Sequence, residues 1–169
     1  MMNDYVAQFK QGDYTGFDAF YREAKRPVYF TALGVLGDHH LAEDVMQDTF
    51  VTFLETIDRA REGENIFAYL SVIARNKALN HAKRASRVTH DDEAFATLAA
   101  PPEEDASGVE EILAHLTSDE EREIVIYHVL LDYKFKDIAV IMGKPLGTVL
   151  WRYNKAMKHL KEKLGGERK

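Results

Sequence analysis

The segment Phe135-Lys136-Asp137-Ile138-Ala139-Val140-Ile141-Met142-Gly143-Lys144-Pro145-Leu146-Gly147-Thr148-Val149-Leu150-Trp151-Arg152-Tyr153-Asn154 places a tight turn between two helical runs. Phe135 to Met142 reads as a short helix, and Gly143-Lys144-Pro145 as the turn that ends it. A last helix is expected from about Leu146 to Leu164. On that helix Val149, Tyr153, Ala156, Met157, Leu160 and Leu164 recur as one apolar face, and Arg152, Lys155, Lys158, His159 and Lys161 mostly occupy the rest. A short helix, a turn with Gly and a longer helix with a basic outer face form the helix-turn-helix pattern. The second helix of that pattern enters the DNA major groove, so its outer face needs donors for base edges and cations for phosphates. Gly147-Thr148 keeps its first turn small, and the free backbone donors there favour an anion. An ordinary helical hairpin with a solvated basic face has the same charge pattern.

Working upstream, Val109, Ile112, Leu113 and Leu116 predict a short helix. Ser118-Asp119-Glu120-Glu121 has the spacing of a capping box, and the helix it starts carries Ile124, Val125, His128, Val129 and Leu131. The first half shows the same three- and four-residue steps. Phe17, Phe20, Tyr21, Ala24, Val28, Ala32 and Leu36 form one run, broken by Gly37-Asp38. Leu41, Val45, Phe50, Phe53, Leu54 and Ile57 form another. A third follows Asn65, an expected N-cap, through Ile66, Tyr69, Leu70, Ile73, Ala74 and Ala78 before turning basic. Val6 and Phe9 predict a short extra helix at the start. No strand-like alternation occurs, so the expected class is all-α.

Between the halves the composition changes. Residues 86–111 hold one basic side chain, Arg87, and eight acidic ones, a net of −7, against −6 for the whole chain. Residues 112–169 hold 11 basic and 8 acidic side chains. The stretch through Pro101-Pro102-Glu103-Glu104-Asp105 is rich in Ala, Pro and acid, which predicts an acidic flexible linker. The expected organisation is two small helical domains, 1–87 and 109–169, joined by a linker at 88–108.

With 169 residues the chain is long enough to bury cores without staples. The absence of cysteine excludes disulfides, thiolate nucleophiles and Cys-ligated metals. No apolar run approaches the ~18 residues of a membrane span. The start, Met1-Met2-Asn3-Asp4-Tyr5, lacks the pattern of a signal peptide, so the expected location is the cytoplasm, without membrane insertion. No cofactor is implied.

Two further groups stand out. Arg75, Asn76, Lys77, Asn80, His81, Lys83, Arg84 and Arg87 cluster at the end of the third long run, near Phe67 and Tyr69. Cations that track a backbone, with aromatics nearby, suit single-stranded DNA, and the amide of Asn80 can pair with a base edge. Burial in the core is the simpler account of Phe67 and Tyr69. The other group is Glu43-Asp44-Val45-Met46-Gln47-Asp48-Thr49-Phe50. Its carboxylates lack a convergent partner, so a solvated or protein-binding face suits them better than catalysis.

Taken in order, these segments resemble the extracytoplasmic-function (ECF) sigma factors, two-domain initiation factors of bacterial RNA polymerase. Ala42 to Phe50 is similar to the family's core-binding motif in region 2. Ala68-Tyr69-Leu70, Ile73-Ala74-Arg75-Asn76 and Ala78-Leu79-Asn80 are similar to its promoter-melting segment. Glu121-Arg122-Glu123-Ile124, Lys136-Asp137-Ile138-Ala139 and Gly147-Thr148-Val149 are similar to its region 4 helix-turn-helix. The resemblance implies that Asp44, Gln47, Asp48 and Phe50 bind core RNA polymerase at the β′ clamp helices. It implies that Arg75, Lys77, Asn80, Lys83 and Arg84 meet the opened −10 element, with Asn80 near a flipped base. It also implies that Gly147, Thr148, Trp151, Arg152, Asn154 and Lys155 meet −35 promoter DNA, with region 4 near the β flap. An anti-sigma factor is the family's usual regulator. Leu150 and Trp151 depart from the pattern, because relatives usually carry a basic and a small residue there, and Tyr69 stands where many carry Trp.

Two other functions compete. A dimeric helix-turn-helix regulator would bind a two-fold symmetric site without polymerase. A helical enzyme using Glu43, Asp44 and Asp48 would show metal-dependent stabilisation. The family resemblance implies a protein without catalysis of its own.

Overall fold

The computed structural model describes residues 2–61, 63–88, 107–116 and 118–165. Most of the expected linker, 89–106, lies outside the described residues. Two units result, Met1–Ala94 and Phe95–Lys169, and the described residues of both contain helices and no strand.

The first unit holds α1 (Met2–Lys10), α2 (Phe17–Leu36), α3 (His39–Glu55), a 3-10 turn (Ile57–Arg59) and α4 (Ile66–Val88). Helix α2 continues through Pro27, although a proline inside a helix costs about 3 kcal/mol relative to alanine. Packing offsets that cost: α2 lies against both α3 and α4, and α3 also packs on α4. The centre is aromatic. Phe20 stacks on Phe53 at 5.4 Å and meets Phe9 edge-on at 5.3 Å, while Tyr21 lies 4.8 Å from Phe50. Ala24, Val28, Leu70 and Ala74 belong to the same buried cluster.

Local chemistry sets the helix ends. Gly37 takes the left-handed conformation, φ 64°, and its N–H donates to the Leu33 carbonyl at 2.8 Å. The next residue, Asp38, caps α3 by accepting from the Leu41 N–H at 3.1 Å. Asn65 caps α4 as expected, its Oδ1 accepting from the Ala68 N–H at 3.3 Å. Before α2, the Asp13 carboxylate accepts from the Thr15 hydroxyl and backbone N–H, which holds its pKa below the usual carboxylate value.

The second unit holds α5 (Ser107–Ala114), α6 (Asp119–Val125) running into a π-helical turn (Ile126–Leu130), α7 (Phe135–Met142) and α8 (Leu146–Gly165). Helix α8 packs on α6 and α7, burying Val149, Ala156 and Leu160. His128 stacks on Phe135 at 4.0 Å and meets Tyr153 edge-on at 4.9 Å, which joins the π turn, α7 and α8. Gly143, φ 62°, ends α7, and the Lys144 N–H donates back to the Ala139 carbonyl at 3.0 Å. This is the turn of the helix-turn-helix.

Two local expectations are corrected. Ser118 makes no side-chain cap bond, so the capping box does not form. Glu121 is instead 2% exposed and lies 3.3 Å from His159 Nδ1 on α8. Packing of α6 against α8 claims the carboxylate that the box would need. On α8, Met157 and Leu164 are exposed rather than part of the buried face.

Candidate polymerase and nucleic-acid interfaces

Helix α3 turns Ala42, Val45, Thr49, Phe50 and Phe53 inward and leaves Asp44, Gln47 and Asp48 exposed. These three sit at helical positions i, i+3 and i+4, so they form one patch. Phe50 does not belong to it. It is 4% exposed and packs on Tyr21, Phe17 and Phe20, so its assignment as a polymerase contact is corrected to a core residue. Val51, 55% exposed, continues the patch as the i+4 neighbour of Gln47. Val51 was not singled out in the sequence, although its i+4 spacing from Gln47 was visible.

Helix α4 buries Leu70, Ser71, Ala74 and Ala78. Opposite them the exposed side chains of Asn76, Asn80 and Lys83 fall at i, i+4 and i+7, a single outward row. Arg84 is exposed beside it, and the half-buried Lys77 flanks the same side. Helical geometry puts Arg75 on the opposite flank of this row from Lys77, so the five expected −10 residues span both sides of it. The side chain of Arg87 lies outside the described residues. Phe67 and Tyr69 are packed against the core, Tyr69 edge-on to Phe53 at 6.1 Å.

On α8 the outward face carries Gly147, Trp151, Asn154, Lys155 and Lys158, all exposed, with Thr148 half-buried beside them. Arg152 Nε lies 2.8 Å from Glu120 Oε2, and Lys144 Nζ lies 2.8 Å from Glu120 Oε1. One α6 carboxylate thus pairs with Arg152, an expected −35 residue, and with Lys144 of the turn. The signal was not local, because Glu120 precedes Arg152 by 32 residues.

Comparisons with known proteins follow this division. The family model for Sigma-70 region 2 matches residues 20–88, and that for Sigma-70 region 4 matches residues 108–160. The chain is 31% identical over 134 residues to the ECF RNA polymerase sigma factor EcfG of Rhodopseudomonas palustris (strain TIE-1), covering 76% of this chain and 74% of that protein. The chain belongs to the ECF family of RNA polymerase sigma factors. This sigma factor is also 28% identical over 167 residues to the RNA polymerase sigma factor CarQ of Myxococcus xanthus, covering 95% of each chain. Its fold is similar to that of RpoE from Bartonella quintana, solved in complex with the anti-sigma factor NepR. That match has TM-score 0.76 and 25% identity over 90% of this chain and 98% of the other. CnrH, solved with the cytosolic domain of CnrY, has the same fold at TM-score 0.71 and 20% identity, covering 97% of each chain.

Sigma factors are transcription initiation factors rather than enzymes, and two matched regions in order favour that role over a self-standing dimeric regulator. Among the described residues no helix is long and apolar enough to cross a membrane.

Glu120 supplies a test of the electrostatics. Replacing Glu120 by Ala frees Lys144 and Arg152 for phosphates, so promoter affinity rises and the log–log salt slope steepens by about 1–2. The thermal stability of the second unit falls by no more than about 1 kcal/mol, because the ion pairs are partly solvated. Salt titrations of promoter binding by the polymerase-bound sigma factor measure the slope.

Proposed function

We propose that this sigma factor acts through three faces on three helices. The acidic patch of α3, with Asp44, Gln47, Asp48 and Val51, docks on the β′ clamp helices of core RNA polymerase. The outward row of α4 takes the opened −10 strand, Asn80 reading a base while Lys77, Lys83 and Arg84 neutralise phosphates. Helix α8 enters the −35 major groove, with the surrounding region 4 near the β flap. Residues 1–87 and 109–169 serve as regions 2 and 4, with 88–108 as the tether. The protein works in the cytoplasm, without a cofactor and without catalysis of its own. An anti-sigma factor regulates it, a reading supported by the RpoE relative solved with one.

The observation that carries this reading is the α4 row. An uncharged amide, Asn80, sits between cations on the face opposite the buried stripe, which is the arrangement for reading a base within a neutralised backbone. Transcription from a double-stranded genomic library by core polymerase plus this protein tests it. Discrete promoter-dependent transcripts are expected; none from any template would overturn it.

Substitutions divide the roles. Asn80→Ala lowers initiation about 10-fold at promoters with the preferred downstream base and little elsewhere, following the loss of one base contact. Lys83→Ala and Arg84→Ala weaken all promoters alike and each lower the salt slope by about 0.7–0.9. Transcript profiling across a promoter panel compares them. Equal profiles for both classes would remove Asn80 from base reading.

A further inference from the structure

The single tryptophan of the chain, Trp151, is 58% exposed. At about 100° per residue it lies roughly 160° around α8 from the buried Val149, at the middle of the outward face. Its ring is not idle surface. Lys155 Nζ stands 5.2 Å from the ring centroid and the Arg152 guanidinium 5.9 Å from it. Arg152 is itself anchored by Glu120, so one neighbour of the indole is tied to α6. Contacts of this kind hold a side chain in place before a ligand arrives and lower the entropy cost of binding.

The ring lacks the chemistry of the side chains that usually read bases. Indole offers one N–H donor and no acceptor, so it cannot make the bidentate pairs that Arg makes with guanine or Asn with adenine. What it offers is a large apolar surface. The major groove presents one apolar group to such a surface, the 5-methyl of thymine. Leu150 beside it, also exposed, adds aliphatic surface and no hydrogen bond. Asn154 lies three residues on from Trp151, on the same face, and supplies an amide for adenine.

Resting on the −35 reading proposed above, we infer that Trp151 is a specificity-determining residue that selects A·T pairs in the −35 element by covering thymine methyl groups. Lys155 beside it serves the adjoining phosphate. A recognition helix of this kind selects by methyl contact where a basic side chain at the same position would select guanine.

The experiment starts with −35 sequences selected from a randomised library by core polymerase carrying the full chain. Every thymine of the selected −35 element, on both strands, is then replaced by deoxyuridine, which removes only the methyl groups. Promoter binding is measured with the wild-type chain, Trp151→Ala and Trp151→Phe, each checked for unchanged thermal unfolding and core polymerase binding. With the wild type, affinity is expected to fall about fourfold per methyl covered, the effect of one buried methyl-sized group. Trp151→Ala binds the thymine and deoxyuridine promoters equally, and Trp151→Phe keeps part of the discrimination.

A selected element without A·T pairs, an unchanged thymine preference in Trp151→Ala, or no preference in the wild type would each overturn the inference. Loss of core polymerase binding in Trp151→Ala would overturn it too, assigning the ring to a protein contact. Failure of the wild type to select any promoter with core polymerase is a different outcome, which sinks the −35 reading on which the inference rests.

Discussion

Core RNA polymerase is expected to bind the double variant Asp44→Lys, Asp48→Lys at least about 100-fold more weakly than the wild type, with the thermal unfolding of the first unit nearly unchanged. Both carboxylates are exposed on α3, and surface changes away from caps and cores move stability by about 0.5 kcal/mol or less. Binding is another matter, because reversing two charges at a complementary interface sets like charges against each other and costs several kcal/mol. Equilibrium binding to labelled core polymerase, read beside thermal unfolding, separates the two quantities. Undiminished binding would place the polymerase contact elsewhere on the chain. Val51→Asp should act in the same direction with a smaller loss, by placing a solvated charge in the apolar part of the patch.

Phe20→Ala is expected to act through the fold instead. Phe20 is fully buried and touches Phe9, Phe17, Phe50 and Phe53, rings from α1, α2 and α3. Removing it leaves a cavity among side chains that cannot collapse freely, a cost of about 3–5 kcal/mol. That is a large share of the roughly 5–15 kcal/mol stability of a typical domain, so the first unit unfolds at a much lower denaturant concentration. Denaturant unfolding gives the stability change directly. A loss below about 1 kcal/mol would mean that the aromatic cluster is not the centre of this unit. Phe50→Ala should follow Phe20 rather than Asp44, which tests its reassignment from interface to core.

The contrast between Phe50 and its neighbours shows how far the sequence could be read. The three- and four-residue steps that grouped Phe17, Phe20 and Tyr21 were sufficient for the helices, because burial of one face imposes that period. They were sufficient for Asp44, Gln47 and Asp48 as well, which occupy the complementary positions. Phe50 belonged with Val45 and Phe53 on the same reasoning, yet its place beside the acidic residues in a motif drew it into the interface. The Asn65 cap was legible since its partner is three residues away. Ser118 and Glu121 had the same local spacing, but His159, 38 residues on, lies against the carboxylate. Glu120, with Lys144 and Arg152, repeats the lesson. A local window carries propensities and periods; which of several cations a carboxylate meets is decided by tertiary packing.

The acidic balance of the chain follows from the same division of surfaces. The net charge of −6 coexists with a recognition helix whose outward face carries Lys155 and Lys158, and with the exposed Lys83 and Arg84 on α4. Such a chain gains little from long-range attraction to DNA, since that attraction follows the summed charge, and it depends on polymerase to bring the basic faces to a promoter.

The most direct test is a permanganate footprint on a selected promoter, which reports unpaired thymines. Reactive thymines in the −10 element are expected only when this protein and core polymerase are both present, together with a protected −35 element upstream. Protection of a two-fold symmetric site by the protein alone, with no reactive thymines when polymerase is added, would contradict the account.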